Sequence, residues 1–263
     1  MLALIAGRGE LPRAVKDAQV QPPLVCALDG CLPDRVEPDH VFRLEHLGRF
    51  LRWLKRRGVR QVCMCGAIDR PDLSWRRLDM RTLALVPRIL KALRRGDDGA
   101  LRVVIGIFEQ QGFEVLAAHE AAPGLLPPAG IATLVRPATM VEADALLGDK
   151  VSMSQAQEDL GQSCVLRDGK VLIRETISGT DAMLRSLAQL GAQGGVFYKA
   201  PKPGQERRAD LPVIGPQTAA RCAEIGLKGL VIEAGGVMVL NQAEVIRRLD
   251  AEGMFLWVRE RPE

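Results

Sequence analysis

The run "YKAPKPGQERRADLPVIGPQT", residues 198–218, sets Lys199, Lys202, Arg207 and Arg208 around the acids Glu206 and Asp210. Pro201 and Pro203 flank Lys202 and restrict the backbone that carries it. Asp210 stands just ahead of Leu211-Pro212, and Gly215 precedes the next helix start. Cations held rigidly beside one carboxylate suit metal-assisted attack on a phosphate ester. The plain alternative is an exposed connection with scattered charges.

Five further stretches hold residues of reactive type. In "GRGELP", Gly7 and Gly9 lie between a strand and a helix, where backbone N–H groups can approach a phosphate; Pro12 suits the first helical turn. The third glycine of a dinucleotide fingerprint is missing, and a plain tight turn explains the pattern equally. "GAIDRPDL" begins at Gly66, after a buried strand, and offers Asp69 and Arg70 at the carboxyl edge of a sheet. "RRGDDGALR" pairs Asp97 with Asp98 between arginines, a pattern for metal and phosphate or for a helix cap. "AHE" places His119 and Glu120 after a strand. "SGTDAMLR" puts Ser178, Thr180 and Asp181 at a helix start, for capping or for nucleotide contact. With His40, His46 and His119 as the only histidines, no His-rich metal site can form.

The elements that position these residues read as α/β. "LALIAG", "LVCALDG", "QVCMCGAI" and "FEVLAA" are strand candidates alternating with the helices "RAVKDAQ", "LGRFLRWLKRRG", residues 80–95, and a helix from Asp97 or Asp98 to about Gln111. That alternation predicts a parallel sheet, Rossmann-like in the first part. Pro and Gly concentrate in "AAPGLLPPAGIA", so the expected division is an N-terminal domain over 1–124, a linker over 125–132 and a C-terminal catalytic domain over 133–263. In the second part "SCVLRDGKVLIRE" reads as a hairpin turning at Asp168-Gly169, "GGVFYKA" and "MFLWV" as strands, and "GLVIEA-GG-VMVL" as strand, turn, strand. Helices are expected over "MVEADALLGDKVSMSQAQEDLGQ", "DAMLRSLAQL", "PQTAARCAEIG" and "QAEVIRRLDAEG".

Of the 263 residues 47% are apolar and 26% charged, the composition of a folded protein. Only 4% are aromatic, which argues against a nucleic-acid stacking surface. The six cysteines form no C-x-x-C pair and are expected as reduced, mostly buried thiols. The first residues lack the pattern of a secretory signal, and no apolar run approaches a membrane span, so a cytoplasmic protein is expected. The net charge of +4 is concentrated between Arg49 and Arg102, a stretch suited to an acidic partner or anionic lipid, or to a solvated helix face.

"GRGELP", "RPDL", "RRGDDGALR", "AHE", "LGQ", "GTDAMLR", "KAPKPGQERRADLPVIGPQT" and "EAGGVMVL" occur in an order that resembles the UDP-2,3-diacylglucosamine pyrophosphatases of lipid A biosynthesis, over nearly the whole chain. The resemblance implies two α/β domains around a central substrate cleft. It also implies a Mg²⁺-dependent hydrolase giving UMP and 2,3-diacylglucosamine 1-phosphate, a homodimer, and work at the inner face of the cytoplasmic membrane. Carried over by position, it makes Asp210, Lys199 and Lys202 catalytic. Substrate contacts fall on Gly7, Gly9, Leu11, Gly66, Asp97, His119, Thr180, Asp181 and Gln205, and Mg²⁺ on Asp210 and Asp181. Ala67 departs from the polar residue the family usually has after that glycine, and the connection from Leu190 to Gly195 is short. Two other classes compete: a nicotinamide-dependent oxidoreductase using "GRGELP", and a non-catalytic binder of nucleotide-sugars or acidic lipid.

Overall fold

The computed structural model describes residues 1–69, 78–83, 85–87, 97–158, 160–191, 193–208 and 210–262. It divides into two compact units. Met1–Pro123 with Glu206–Asp210 forms the first, and Gly124–Gln205 with Leu211–Glu263 the second.

Short apolar runs make the first sheet: β1 (Leu2–Ala6), β2 (Leu24–Leu28), β3 (His40–Phe42), β4 (Gln61–Cys65) and β5 (Glu114–Leu116). Their order is β3-β2-β1-β4-β5, and every pairing is parallel. A parallel sheet is covered on both faces, so its strands need no polar alternation. Ala3, Ile5, Leu24, Cys26, Val62 and Met64 share one buried face. Helices α2 (Leu47–Arg56) and α4 (Asp97–Gln110) cover that face with Phe50, Leu54, Ile105 and Phe108. The alternate residues Leu4, Val25 and Cys63 are buried on the opposite face, as is Val15 of α1 (Leu11–Asp17). The Rossmann-like reading therefore holds. β3 escaped the sequence analysis because three residues carry too little pattern. Of the helix expected over 80–95, α3 (Met80–Leu83) is described, while residues 88–95 lie outside the described residues, as do Arg70, Arg94 and Gly96.

In this order the chain leaves β1 in one direction through β2 and returns to β4 on the other side. The loops after β1 and β4 thus diverge at a topological switch point, the usual ligand position of open α/β sheets. Here the two loops are bonded together. Gly7 N–H donates to Cys65 O (2.8 Å), Arg8 N–H to Ala67 O (2.9 Å) and Ala67 N–H to Arg8 O (2.9 Å). A Cβ on Gly7 would fall 2.4 Å from Ala67 O, so the approach requires glycine.

The second unit holds a sheet ordered β6-β13-β11-β9-β7-β8. It is built from β6 (Gly130–Ile131), β7 (Ser163–Arg167), β8 (Lys170–Arg174), β9 (Val196–Lys199), β11 (Gly229–Glu233) and β13 (Phe255–Arg259). Only β9, β11 and β13 run parallel; β6, β7 and β8 pair antiparallel. This second sheet is therefore mixed, in keeping with the hairpin read from the sequence. The cause is the hairpin itself: two turn residues, Asp168 at φ 52° and Gly169 at φ 73°, can join only antiparallel neighbours. Asp144 Oδ1 accepts the N–H of Gly169 and holds that turn. Helix α6 (Met140–Gln157) covers one face, through Val141, Ala145 and Val151. Helices α7 (Gly179–Gln189), α8 (Pro216–Ile225) and α9 (Gln242–Ala251) cover the other, through Leu184, Leu187, Cys222 and Leu249. "GLVIEA-GG-VMVL" is strand, turn, strand, but β12 (Met238–Val239) leaves the main sheet and pairs with β10 (Val213–Ile214). All six cysteines are free and buried.

The crossing of the two loops gives a graded prediction. Gly66 has φ +88°, and a Cβ there would lie 2.8 Å from Arg8 O and Gly7 C; Gly9 has φ +97° with nothing within 4 Å. Gly9→Ala should cost only backbone strain, about 1–2 kcal/mol. Gly66→Ala should add overlap worth about 1–3 kcal/mol more. Urea unfolding of both variants checks the order.

Candidate active site

The carboxyl end of β9 carries Lys199, a buried residue at 7% exposure. Its Nζ donates to Thr180 Oγ1 at 3.0 Å. The first turn of α7 thus brings together two residues separated by 19 positions, and the Thr180 hydroxyl accepts from lysine. Ser178 precedes α7 and makes no side-chain cap bond. Asp181, in the first turn, forms an ion pair with Arg221 of α8.

Beyond β9, Gln205 ties down the proline-rich run. Its Oε1 accepts from Lys202 N–H (3.1 Å) and from Gln162 Nε2 (2.8 Å). Ala200 N–H donates to Gln162 O (3.1 Å). Lys202 is therefore presented on a braced turn, as its flanking prolines suggested. Glu206–Asp210 groups with the first unit, where Asp210 N–H donates to Glu206 O at 3.1 Å. Arg208 Nε donates to Glu206 Oε1 at 2.9 Å, and this hydrogen bond is the main cause that holds the Glu206 carboxyl below its ordinary range. Among the described residues no group of three or more His, Cys, Asp and Glu side chains is placed to hold a metal ion.

In the first unit, Gly7, Gly66 and the start of α1 at Leu11 meet at the switch point. Gly9 N–H donates to Asp34 Oδ1 at 2.7 Å, which lowers the Asp34 carboxyl. Three successive N–H groups of the glycine turn, those of Gly7, Arg8 and Gly9, thus go to protein acceptors. Asp34 was not singled out in the sequence; its only signal is an acid among the prolines that follow β2. Arg8 pairs with Asp69 at 2.7 Å. Asp97 opens α4. His119 lies in α5 (Ala118–Ala121), whose Glu120 Oε2 accepts from Ala117 N–H at 2.7 Å. Glu120 is thereby spent on the helix start. His119 Nδ1 is buried without a hydrogen-bond partner among the described residues, and burial lowers the imidazole below its ordinary value, with Arg207 adding to the shift.

Comparison with known proteins now decides the family. The LpxI N-terminal domain model matches residues 1–125, and the LpxI C-terminal domain model matches residues 128–257. The chain belongs to the LpxI family. A protein of Caulobacter vibrioides named UDP-2,3-diacylglucosamine pyrophosphatase LpxI is 38% identical over 270 residues, covering 97% of this chain and 96% of its own length. The resemblance carried by the motifs is borne out, and the family spans both units.

The His119 environment sets a pH dependence. Its folded value lies below 6.5, so the unfolded chain binds the proton first as pH falls. Its contribution to stability is present above about pH 6.5 and is lost as pH falls below that value. Chemical denaturation at pH 7.5 and pH 5.5 should show a smaller acid loss in His119→Gln than in the parent chain.

Proposed function

We propose that this chain hydrolyses the pyrophosphate of UDP-2,3-diacylglucosamine to UMP and 2,3-diacylglucosamine 1-phosphate, as a step of lipid A biosynthesis. The near full-length likeness to a protein of that name supports the substrate. The observation in this chain that carries the chemistry is the buried residue Lys199 at the carboxyl edge of the sheet, with Thr180 accepting from its ammonium. A cation held out of water acts far more strongly on a phosphate oxygen than one in solvent. Lys199 and Lys202 offset the charge that grows on the phosphoryl oxygens as water attacks phosphorus, and Asp210 orients that water. Gly7, Gly9, Leu11, Gly66, Asp97, His119, Thr180 and Gln205 are the proposed substrate contacts.

Mg²⁺ is part of the proposal. It takes one or two carboxylates and completes its shell with phosphate oxygens and water. Asp210 would hold it. Asp181 is the weaker donor of the two, because its ion pair with Arg221 competes. When bound, the ion would supply Lewis-acid neutralisation of the pyrophosphate. The oxidoreductase alternative loses support, since the near full-length relative is named as a pyrophosphatase.

The reading extends to a homodimer at the inner face of the cytoplasmic membrane. No described helix is long and apolar enough to cross a membrane. The outer face of α2 and the residues after it expose Arg49, Arg52, Arg56 and Arg60, a surface suited to anionic lipid.

Purified protein with UDP-2,3-diacylglucosamine should release UMP in Mg²⁺ and not in EDTA. Asp210→Ala should slow release by about 10²-fold or more with an unchanged thermal midpoint. Release that survives both EDTA and Asp210→Ala removes the ion and Asp210 from the mechanism. Binding without release supports the non-catalytic alternative.

A further inference from the structure

Lys199 is held by a chain of side chains that ends on a buried acid, and none of the motif residues accounts for that acid. Lys199 Nζ donates to Thr180 Oγ1 at 3.0 Å; Thr180 Oγ1 lies 3.5 Å from Ser163 Oγ; Ser163 Oγ donates to Glu175 Oε2 at 2.6 Å. Ser163 is 1% exposed and Glu175 9%. Lysine can only donate and a carboxylate can only accept. Ser163 spends its one proton on Glu175, so toward Thr180, a longer contact at 3.5 Å, it can only accept.

Glu175 is itself fixed from three sides. Gln162 N–H donates to its Oε2 at 3.0 Å, and Gln155 Nε2 donates to its backbone carbonyl at 2.9 Å. A Cβ on Gly161 would come within 2.4 Å of its Cβ, so the neighbouring chain closes directly over it. A carboxylate locked at one end of this chain acts on the one N–H of the cation that Thr180 accepts at the other.

We propose that Glu175 is a positioning residue for Lys199. Through Ser163 and Thr180 it sets the direction in which the ammonium presents its protons, and hence where a phosphate oxygen is met. What that oxygen belongs to rests on the pyrophosphatase reading; the chain of side chains itself does not.

Glu175→Gln, Thr180→Val and the double variant test it. Glutamine keeps the shape and an acceptor oxygen but removes the charge, so the pull on the Ser163 proton is weakened. In Glu175→Gln, kcat for UMP release should fall about tenfold or more while KM changes less than about threefold, because the charge met by Lys199 grows in the transition state. The double variant should be no slower than the slower single, since both changes break one chain. Losses that multiply, or a change confined to KM, overturn the proposal. A second readout does not need turnover. The Nζ resonance of Lys199 in ¹⁵N-labelled protein, assigned by its loss in Lys199→Arg, should move in both single variants. A resonance unmoved in Glu175→Gln overturns the proposal whatever the activity. If the parent chain releases no UMP, the functional reading falls and this resonance alone decides the chain from Glu175 to Lys199.

Discussion

A lysine ammonium can be withdrawn from water only where acceptors replace the water, and the second unit is arranged around that requirement. The mixed sheet meets it. Because β7 runs antiparallel to β9, its first residue, Ser163, stands opposite the last residue of β9, Lys199. Because β8 runs antiparallel to β7, its end returns to the same edge and delivers Glu175, whose N–H donates to Ser163 O at 2.9 Å. A parallel β7 would have started at the far edge of the sheet. The antiparallel hairpin is thus what brings a hydroxyl and an acid to the place where a parallel strand ends.

The neighbouring residue holds β9 from the opposite face. Side chains alternate along a strand, so Tyr198 faces α6 while Lys199 faces α7 and α8. The Tyr198 hydroxyl donates to Asp149 Oδ1 at 2.5 Å, and Arg259 Nη1 of β13 donates to Asp149 Oδ2 at 2.9 Å. Burial, with the Asp149 hydrogen bond second, raises the phenol well above its ordinary value and keeps it a donor. Gly148 lets α6 come this close, since a Cβ there would lie 2.5 Å from the Tyr198 ring. Loss of Asp149 would leave the buried Arg259 charge uncompensated, at a cost of roughly 3–5 kcal/mol, so the pair also fixes α6 against the sheet.

Much of this was legible in the residues. The strand–helix alternation of the first 123 residues, the Asp168-Gly169 turn and the order of motifs were all visible, because each is a local pattern of residue type. Lys199 and Thr180 were visible as reactive types, though Thr180 read equally well as a cap; only the packing of α7 against β9 shows that its oxygen is used by lysine. Ser163 and Glu175 left no mark. In "SCVLRDGKVLIRE" they look like the polar ends of a hairpin, and their roles depend on pairing with β9, far along the chain. Asp34 was hidden for the same reason: its bond to Gly9 spans 25 residues. β12 was read as a strand but not placed, since a two-residue strand carries no information about its partner.

The six buried thiols have a practical side. Burial pushes Cys26 and Cys164 up to about 12 and raises Cys222 as well, so at neutral pH they carry almost no thiolate, the form that reacts with alkylating reagents. All six are closed off from solvent, so the folded chain is a chemically quiet background. A single cysteine introduced on its surface would be the position that a maleimide dye or spin label finds first, with the native six left in place.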